Sequence, residues 1–160
     1  MTQCLDDDEL RAWLKLDGVM LKLAPTLDSQ LQRDSDLTHF EYLCLAMLSE
    51  TEDRTLRMSE LAAKTNSSLS RLSHVVTKLE KRGLVCRRPD PDSRRVTRVR
   101  LDEAGWKVLV AAAPGHVENV RSLVFDGLTP ADVAALERVA GHIVERIEAR
   151  VAEDGLDPTC

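Results

Sequence analysis

Residues 58–101 read MSELAAKTNSSLSRLSHVVTKLEKRGLVCRRPDPDSRRVTRVRL, and this stretch decides the fold. Its first part has apolar residues at helical spacing in two short segments, which predicts two amphipathic helices. Gly83 then predicts the end of the second helix. An apolar and then basic strand follows, then a turn rich in proline and aspartate, then a strand in which arginine alternates with valine. Helix, turn, helix and hairpin in this order predict a winged helix-turn-helix.

Positive charge is concentrated in the same stretch. The 160-residue chain carries 22 Lys and Arg against 27 Asp and Glu, for a net charge of −5. Residues 54–100 hold 13 of the basic and only 4 of the acidic residues, a local net charge of +9. This distribution favours a polyanion that binds locally, because the acidic remainder repels one. The alternative is a solvated basic face whose cations pair with the acidic ends.

The helix predicted at 68–82 is the most informative element. Apolar residues recur on its core side at steps of three and four, at Leu72, Val75, Val76 and Leu79. Its other side carries hydroxyls and cations without a carboxylate, at Ser70, Arg71, Ser73, His74, Thr77, Lys78 and Lys81. Solvated faces usually mix both signs, whereas small hydroxyls and arginine suit the major groove of DNA. Ser68, at the start, is placed to contact a phosphate through free backbone N–H groups.

The hairpin is predicted from strands at 84–88 and 94–101 around a turn. Arg94 and Arg95 come at its tip, where they can enter a minor groove or follow a run of phosphates. Arg87, in the first strand, is a further candidate DNA contact. The apolar alternation of the second strand slips once, which predicts a bulge or a twist near Thr97.

The chain before this stretch is acidic and helical. A long helix is predicted at 8–33, and Pro25 within it is expected to kink it. Thr38 and Glu41 have the spacing of a capping box, which predicts that a second helix runs to about Ser49. Residues 50–57 are expected to be a polar loop.

Three further helices are predicted beyond the loop. Ser59 is expected to cap a short helix at 59–65. The segment 102–126, with Asp102 as its cap, is interrupted by Pro114 and Gly115, which leaves either one kinked helix, the favoured interpretation, or two helices. Thr129, Pro130 and Asp132 predict the start of a last helix, which runs to about residue 152 with an apolar seam suited to a helix–helix interface.

The predicted fold class is therefore mainly α with a small β-hairpin wing. It divides the chain into a dimerisation helix at 1–36, a winged helix-turn-helix DNA-binding domain at 37–101 and dimerisation helices at 102–160. No apolar run is long enough to cross a membrane. The acidic start, with Asp6 to Glu9, does not suit a signal peptide, so cytoplasmic residence is expected.

Enzyme, metal and cofactor chemistry are not indicated. The sequence has no G-x-S-x-G, P-loop or glycine-rich phosphate turn, and its four histidines lack metal-ligand spacing. Cys44 and Cys86 are expected to be small core residues. Cys4 and Cys160 are expected to be free thiols near the termini.

Two motifs carry a family resemblance. R-L-S-x-V-V-x-K-L-E-K-R-G-L-V in the second helix is followed by D-P-D-S-R-R-V-x-R-V-x-L-D-E-A-G. Together they resemble the MarR family of bacterial transcription regulators, over about residues 8–152. The resemblance implies a homodimer that binds a pseudo-palindromic operator. It also implies that Asp92 holds the wing against the domain and that Arg94 reaches the minor groove.

The resemblance further implies a small effector, often phenolic or anionic, in a cleft between the dimer helices and the winged helix. The candidate lining residues are Trp13, Asp17, Met20, His39, Tyr42, Leu43 and His116. The alternative is that Trp13 and Tyr42 are core or interface aromatics and that His39 only starts a helix. His116 is either a pocket residue or a cap for a broken helix.

The function expected from these patterns is that of a dimeric repressor of transcription that binds double-stranded DNA and is released by an effector. One alternative is an interaction module whose winged helix binds an acidic protein. Another is a redox-responsive regulator that acts through Cys4 or Cys160.

Overall fold

The structure is a computed structural model that describes residues 4–154. The elements in chain order are α1 (Asp7–Ser35), α2 (His39–Ser49), β1 (Thr55–Arg57), α3 (Met58–Lys64), α4 (Leu69–Lys81), β2 (Val85–Pro89), β3 (Thr97–Leu101), α5 (Glu103–Val120), a π-helical turn (Arg121–Phe125) and α6 (Pro130–Asp154). The mainly helical fold with a small β-hairpin wing is therefore confirmed.

Two of the predicted capping pairs, at Thr38 and Thr129, start their helices, whereas Asp102 precedes α5 without a capping hydrogen bond from its side chain. The Thr38 hydroxyl accepts a hydrogen bond from the Glu41 N–H, and the Glu41 carboxylate accepts one from the Thr38 N–H at 2.8 Å. Thr129 and Asp132 make the same exchange before α6. Gly83 has a φ of 69°, the left-handed conformation expected after a helix C-terminus.

Three predictions on local structure were wrong. Residues 50–57 are not only a loop, since they include β1. The short helix begins at Met58 rather than after Ser59, with the Glu60 carboxylate accepting from the Arg57 N–H. The predicted bulge near Thr97 is absent, because β2 and β3 pair without interruption from Val85–Leu101 to Pro89–Thr97.

The three strands form one antiparallel sheet in the order β1-β3-β2. β1 pairs with the far side of β3, with Leu56 opposite Val99. The tip of the β2–β3 hairpin, residues 90–96, is closed by backbone hydrogen bonds, among them Asp90 N–H to the Val96 carbonyl at 2.9 Å. We call this hairpin with its tip the wing.

The core lies between α2, α3, α4, α5, the sheet and the C-terminal part of α1. Its fully buried side chains include Leu31, Leu45, Leu61, Leu72 and Val99. Gly105 lets the first turn of α5 pack directly on the start of β2, since a Cβ there would overlap the Leu84 carbonyl oxygen.

α5 passes through Pro114 and Gly115 as one helix and continues into the π-helical turn. The interpretation as one continuous helix is confirmed, whereas the π-helical turn was not predicted. Among residues 4–154, no helix has both the length and the apolar character that a membrane span requires.

Candidate nucleic-acid interface

α4 presents the expected polar face. Leu72, Val76 and Leu79 are buried, and the opposite side is exposed at Ser70, Arg71, Ser73, His74, Lys78 and Lys81. This exposed side contains hydroxyls, an imidazole and cations, which are donors that base edges and phosphates can accept.

The first residues of α4 make contacts within the protein. Ser68 is buried, and its hydroxyl accepts a hydrogen bond from the Arg71 N–H at 3.1 Å. It therefore caps α4, and a DNA contact by Ser68 stays a prediction. The Arg71 guanidinium lies over the Phe40 ring, 4.4 Å from its centroid, which restricts the directions in which it can reach outward.

Arg87 joins the hairpin to α4. Its guanidinium forms an ion pair with Glu80 at 2.9 Å. It also donates to the Ser73 carbonyl at 2.8 Å and to the Thr77 hydroxyl at 3.0 Å. Three predicted DNA contacts, Ser73, Thr77 and Arg87, thus bond to one another. This arrangement fixes the angle between the helix and the wing.

Lys78 is tied to α2. Its ammonium lies 2.8 Å from the buried Glu41 carboxylate, which also faces Arg82 at 3.7 Å. Burial alone would raise the pKa of Glu41, but hydrogen bonds from Lys78 and the Thr38 N–H, together with the charges of Lys78 and Arg82, outweigh it. The pKa of Glu41 is therefore lowered and the carboxylate is ionised at neutral pH.

The wing is anchored by Asp90 rather than by Asp92. The Asp90 side chain is fully buried, and one of its oxygens accepts from Arg98 at 2.7 Å and from Arg57 at 3.0 Å. Its other oxygen accepts from the Asp92 N–H. Hydrogen bonds from Arg98 and then from the Asp92 backbone lower the pKa of Asp90 to about 2. Asp92 itself is exposed, so the role expected of it belongs to its neighbour two residues earlier.

The tip of the wing carries Arg94 and Arg95, both exposed and without an ion pair among residues 4–154. A groove of about 390 Å³ separates the wing from α4, lined by Met58, Ser59, Leu69, Ser73, Arg87, Arg95, Val96 and Thr97. Other cations of the basic segment do pair with acidic parts of the chain, namely Arg54 with Glu103, Lys64 with Glu50, Lys78 with Glu41, Arg82 with Asp36 and Arg100 with Asp102. These cations are therefore used in ion pairs within the protein, whereas Arg94 and Arg95 remain available at the wing tip.

The candidate effector residues are only partly brought together. His116 is buried in α5, with its ring 4.2 Å from that of Tyr42 and 5.5 Å from that of His39. The His39 N–H donates to Asp28 of α1 at 2.6 Å. Because His116 lies inside a continuous helix, the interpretation as a cap for a broken helix was wrong.

The other candidates lie far from this cluster within one protomer. Trp13 precedes Asp28 by 15 residues in the same helix, which corresponds to about 22 Å along its axis. Trp13 and Met20 are exposed, and Asp17 is half-buried. Two further residues, the buried Gln30 and the half-buried Asn119, were not predicted. Each has a buried side-chain atom without a hydrogen-bond partner among the described residues, as do His39 and His116 at Nδ1.

The comparisons with known proteins agree with this geometry. Residues 37–97 match the MarR family model. The fold superposes on Sco3205 from Streptomyces coelicolor, a MarR family transcriptional regulator crystallised in complex with DNA, with a TM-score of 0.88 and 39% identity over 90% of this chain and 94% of that one. The chain belongs to the MarR family of transcriptional regulators.

A second MarR structure, AbsC from Streptomyces coelicolor, is 36% identical with a TM-score of 0.87, over 92% of this chain and 99% of that chain. Among characterised MarR relatives, the transcriptional repressor MprA of Escherichia coli is 25% identical over 115 residues, which are 72% of this chain and 64% of MprA. The chain thus spans somewhat less than two thirds of the length of that relative.

The cysteines of this MarR protein have different environments. Cys44 is buried in the core, as predicted, and burial followed by the nearby Glu41 charge raises the pKa of its thiol to about 12. Cys86 is half-buried and donates to the Asp102 carboxylate at 3.3 Å. Cys4 is exposed, and Cys160 lies outside the described residues. Within residues 4–154, no group of three His, Cys, Asp or Glu side chains could hold a metal ion.

Proposed function

We propose that this protein is a transcriptional repressor that binds double-stranded DNA sequence-specifically, as a homodimer on a pseudo-palindromic operator. The observation that carries the proposal is the exposed face of α4, which has no carboxylate, beside a wing tip that presents Arg94 and Arg95. A helix of this composition suits a major groove, and the arginines suit the adjacent minor groove or backbone. The related regulator Sco3205 has been crystallised with DNA, and MprA is a repressor.

Dimerisation is supported by two apolar faces that one protomer leaves uncovered. Every side chain from residue 131 to 150 in α6 is exposed, including Leu136, Ile143 and Ile147. Most helical stability in proteins comes from packing of an apolar face, so a 25-residue helix whose apolar side chains remain exposed favours a partner. The second face is the first part of α1, with Leu14, Val19 and Met20 among its exposed residues.

A cleft of about 660 Å³ joins these two faces. It is lined by Leu14, Lys15, Gly18, Val19, Lys22, Leu23, Thr26, Leu123, Val124 and Leu136. We propose that helices of a second copy fill it, in keeping with dimerisation roles for residues 1–36 and 102–160. The partner's helices would also place a second α4 at the spacing of an operator half-site, about one helical turn of DNA.

We propose that the cluster of His39, Tyr42 and His116 is part of a site for a small phenolic or anionic effector. The unpartnered Nδ1 atoms of both histidines and the unpartnered side-chain atoms of Gln30 and Asn119 support it, because buried polar atoms normally have a partner. In a dimer, Trp13, Asp17 and Met20 would reach such a site only from the other protomer.

A selection from a random duplex library tests DNA binding. The protein is expected to enrich one pseudo-palindrome, with an affinity that falls steeply as salt rises. Arg71→Ala should cost about 1–3 kcal/mol on that duplex and relax its sequence preference, whereas Arg94→Ala should weaken binding to most sequences. Arg138→Ala, which replaces an exposed arginine of α6, is the control and should bind as the wild type does.

The same selection decides between this proposal and the alternatives. Failure to enrich any duplex would favour an interaction module that binds an acidic protein. Wild-type affinity of Arg94→Ala for the selected duplex would show that the wing is wrongly assigned. A redox role for Cys4 or Cys160 requires that peroxide changes DNA binding by the wild type but not by a variant without these cysteines.

A further inference from the structure

Glu41 is a buried carboxylate whose cationic partners lie in α4, the proposed recognition helix, and at its C-cap. It is 1% exposed, in the first turn of α2. One oxygen faces the Lys78 ammonium at 2.8 Å, and the other faces Arg82 at 3.7 Å and accepts from the Thr38 N–H. Lys78 and Arg82 are four residues apart, so both project from the same side of the C-terminal half of α4.

Phe40, the neighbouring residue of α2, contacts the N-terminal half of α4. Phe40 lies beneath the Arg71 guanidinium. Two consecutive residues of one turn, Phe40 and Glu41, therefore contact α4 near its start and near its end. Contacts at two points along a helix oppose its rotation as well as its translation.

The capping hydrogen bond from the Thr38 N–H requires an acceptor at this position but not a charged one, and stability alone does not account for the buried charge. Burying an ion pair costs desolvation that its attraction roughly offsets, and an apolar side chain of similar size often stabilises a protein as well or better. A buried ion pair does, however, restrict geometry, since a rotated α4 would leave the Glu41 charge without a partner in a dry environment.

The same turn of α2 also contacts the helices outside the DNA-binding segment. His39 donates to Asp28 of α1, and the rings of His39 and Tyr42 lie against His116 of α5. The turn therefore connects α1 and α5 with α4 through adjacent residues.

We propose that Glu41 is a positioning residue for sequence recognition: through Lys78 and Arg82 it sets the rotation of α4 about its axis, and so the bases that the exposed face of α4 can reach. Glu41 itself does not touch DNA. This role rests on the proposed DNA-binding function, and it gives α2 the task of transmitting a displacement of α1 or α5 to the recognition helix.

Glu41→Gln separates positioning from simple electrostatics because only positioning predicts a change in the ratio of affinities for the selected and a random-sequence duplex. The amide keeps the shape of the side chain and can still accept from the Thr38 N–H. Removing a negative charge should tighten binding to every duplex if charge alone matters. If Glu41 positions α4, the affinity ratio of the selected duplex to a random-sequence duplex should fall by about tenfold, as when one base contact is lost.

Glu103→Gln is the matched control. It removes the same charge from an exposed ion pair with Arg54 at the start of α5, away from α4. This variant should keep the wild-type ratio of affinities. A wild-type ratio in Glu41→Gln as well would overturn the proposal.

Two further measurements, DNA binding by Arg82→Gln and hydrogen exchange of the free protein, test the same inference. If Glu41→Gln does not fold, as judged by circular dichroism, Arg82→Gln takes its place, since Arg82 is outside the predicted DNA contacts and pairs with Glu41 from the end of α4. Arg82→Gln should also lower the affinity ratio of the selected duplex to a random-sequence duplex. An unchanged ratio would contradict the positioning role.

Hydrogen exchange of the free protein distinguishes failure of this inference from failure of the proposed function. Without the ion pair, the amides in the last two turns of α4 should exchange faster than in the wild type. A wild-type protein that enriches no duplex would refute DNA binding, and the positioning role would then be decided by exchange alone. Unchanged exchange in that case would refute it too.

Discussion

Two histidines from different helices face each other, His116 buried and His39 half-buried, and neither is well placed to carry a charge. Burial lowers the pKa of His39, against the opposing effect of Asp28. Burial and then the charge of His39 lower the pKa of His116. Protonating either ring would bring a positive charge beside the other ring and the Tyr42 side chain, whose own pKa is raised by burial.

This pair makes the stability of the fold depend on pH. Because the folded-state pKa of each histidine lies below its ordinary value of 6.5, the unfolded chain binds more protons than the folded chain just below that pH. Their contribution is thus complete above about pH 7 and is lost as the pH falls through 6.5 toward the folded-state pKa. The free energy of unfolding, from urea titrations between about pH 7.5 and about pH 5.5, should decrease in this direction.

His116→Gln should reduce this pH dependence, and His39→Gln with His116→Gln should reduce it further. His142→Gln, which replaces an exposed residue of α6, is the control for the loss of a histidine as such. An equally steep decrease in the double variant would show that other groups are responsible.

At the scale of single elements, the wing depends on one carboxylate that bridges two strands. Arg57 belongs to β1 and Arg98 to β3, and Asp90, just after β2, accepts from both. Asp90 thereby attaches the wing tip to β1, the strand that is far from the wing in the sequence. Arg94 and Arg95 need this attachment, because a flexible hairpin would lose entropy when it binds in a groove.

Asp90→Asn should weaken binding to the selected duplex by about tenfold or more, since the amide cannot neutralise two guanidinium groups. The helical signal in circular dichroism should stay close to that of the wild type, because the helices do not depend on this contact. Asp92→Asn makes the same change of charge at an exposed side chain and should cost less affinity. A larger loss in Asp92→Asn than in Asp90→Asn would return the anchoring role to Asp92.

At the scale of the whole molecule, charge and apolar surface are segregated. The excess of positive charge lies in residues 54–100, which include α4 and the wing, whereas most of the uncovered apolar surface lies on α1, the π-helical turn and α6. The acidic ends repel DNA, so a duplex should approach only the basic side. This segregation supports the proposal that one side of the molecule binds DNA and another binds a second copy.

Leu136→Arg should disrupt the proposed dimer. The side chain is exposed in one protomer and lines the cleft between α1 and α6, so a charge there would have to be buried in the interface. Analytical ultracentrifugation should give twice the mass of one chain for the wild type and a lower average mass for the variant. Leu69→Arg, at an exposed leucine of α4, should remain dimeric. A wild-type protein that sediments as a single chain would refute the dimer.

The amino-acid sequence by itself determined the fold class, the α-helices and the caps at Thr38 and Thr129. Thr38, Thr129 and Gly83 act on backbone groups within a few residues, and the core side of α4 follows from a period of 3.6 residues. Such signals are local, so they can be recognised before the chain is folded. The exposed face of α4 was predicted correctly for the same reason.

Only the tertiary structure decided which residues hold these elements together. β1 contains a single buried residue, Leu56, and exists because β3, about 40 residues later, supplies its hydrogen bonds. Glu41 was recognised as a cap but not as the partner of Lys78, and Asp90 as a turn residue but not as the anchor of the wing. Each of these contacts joins residues that are distant along the chain, and ion pairs of this kind leave no periodic pattern in the sequence.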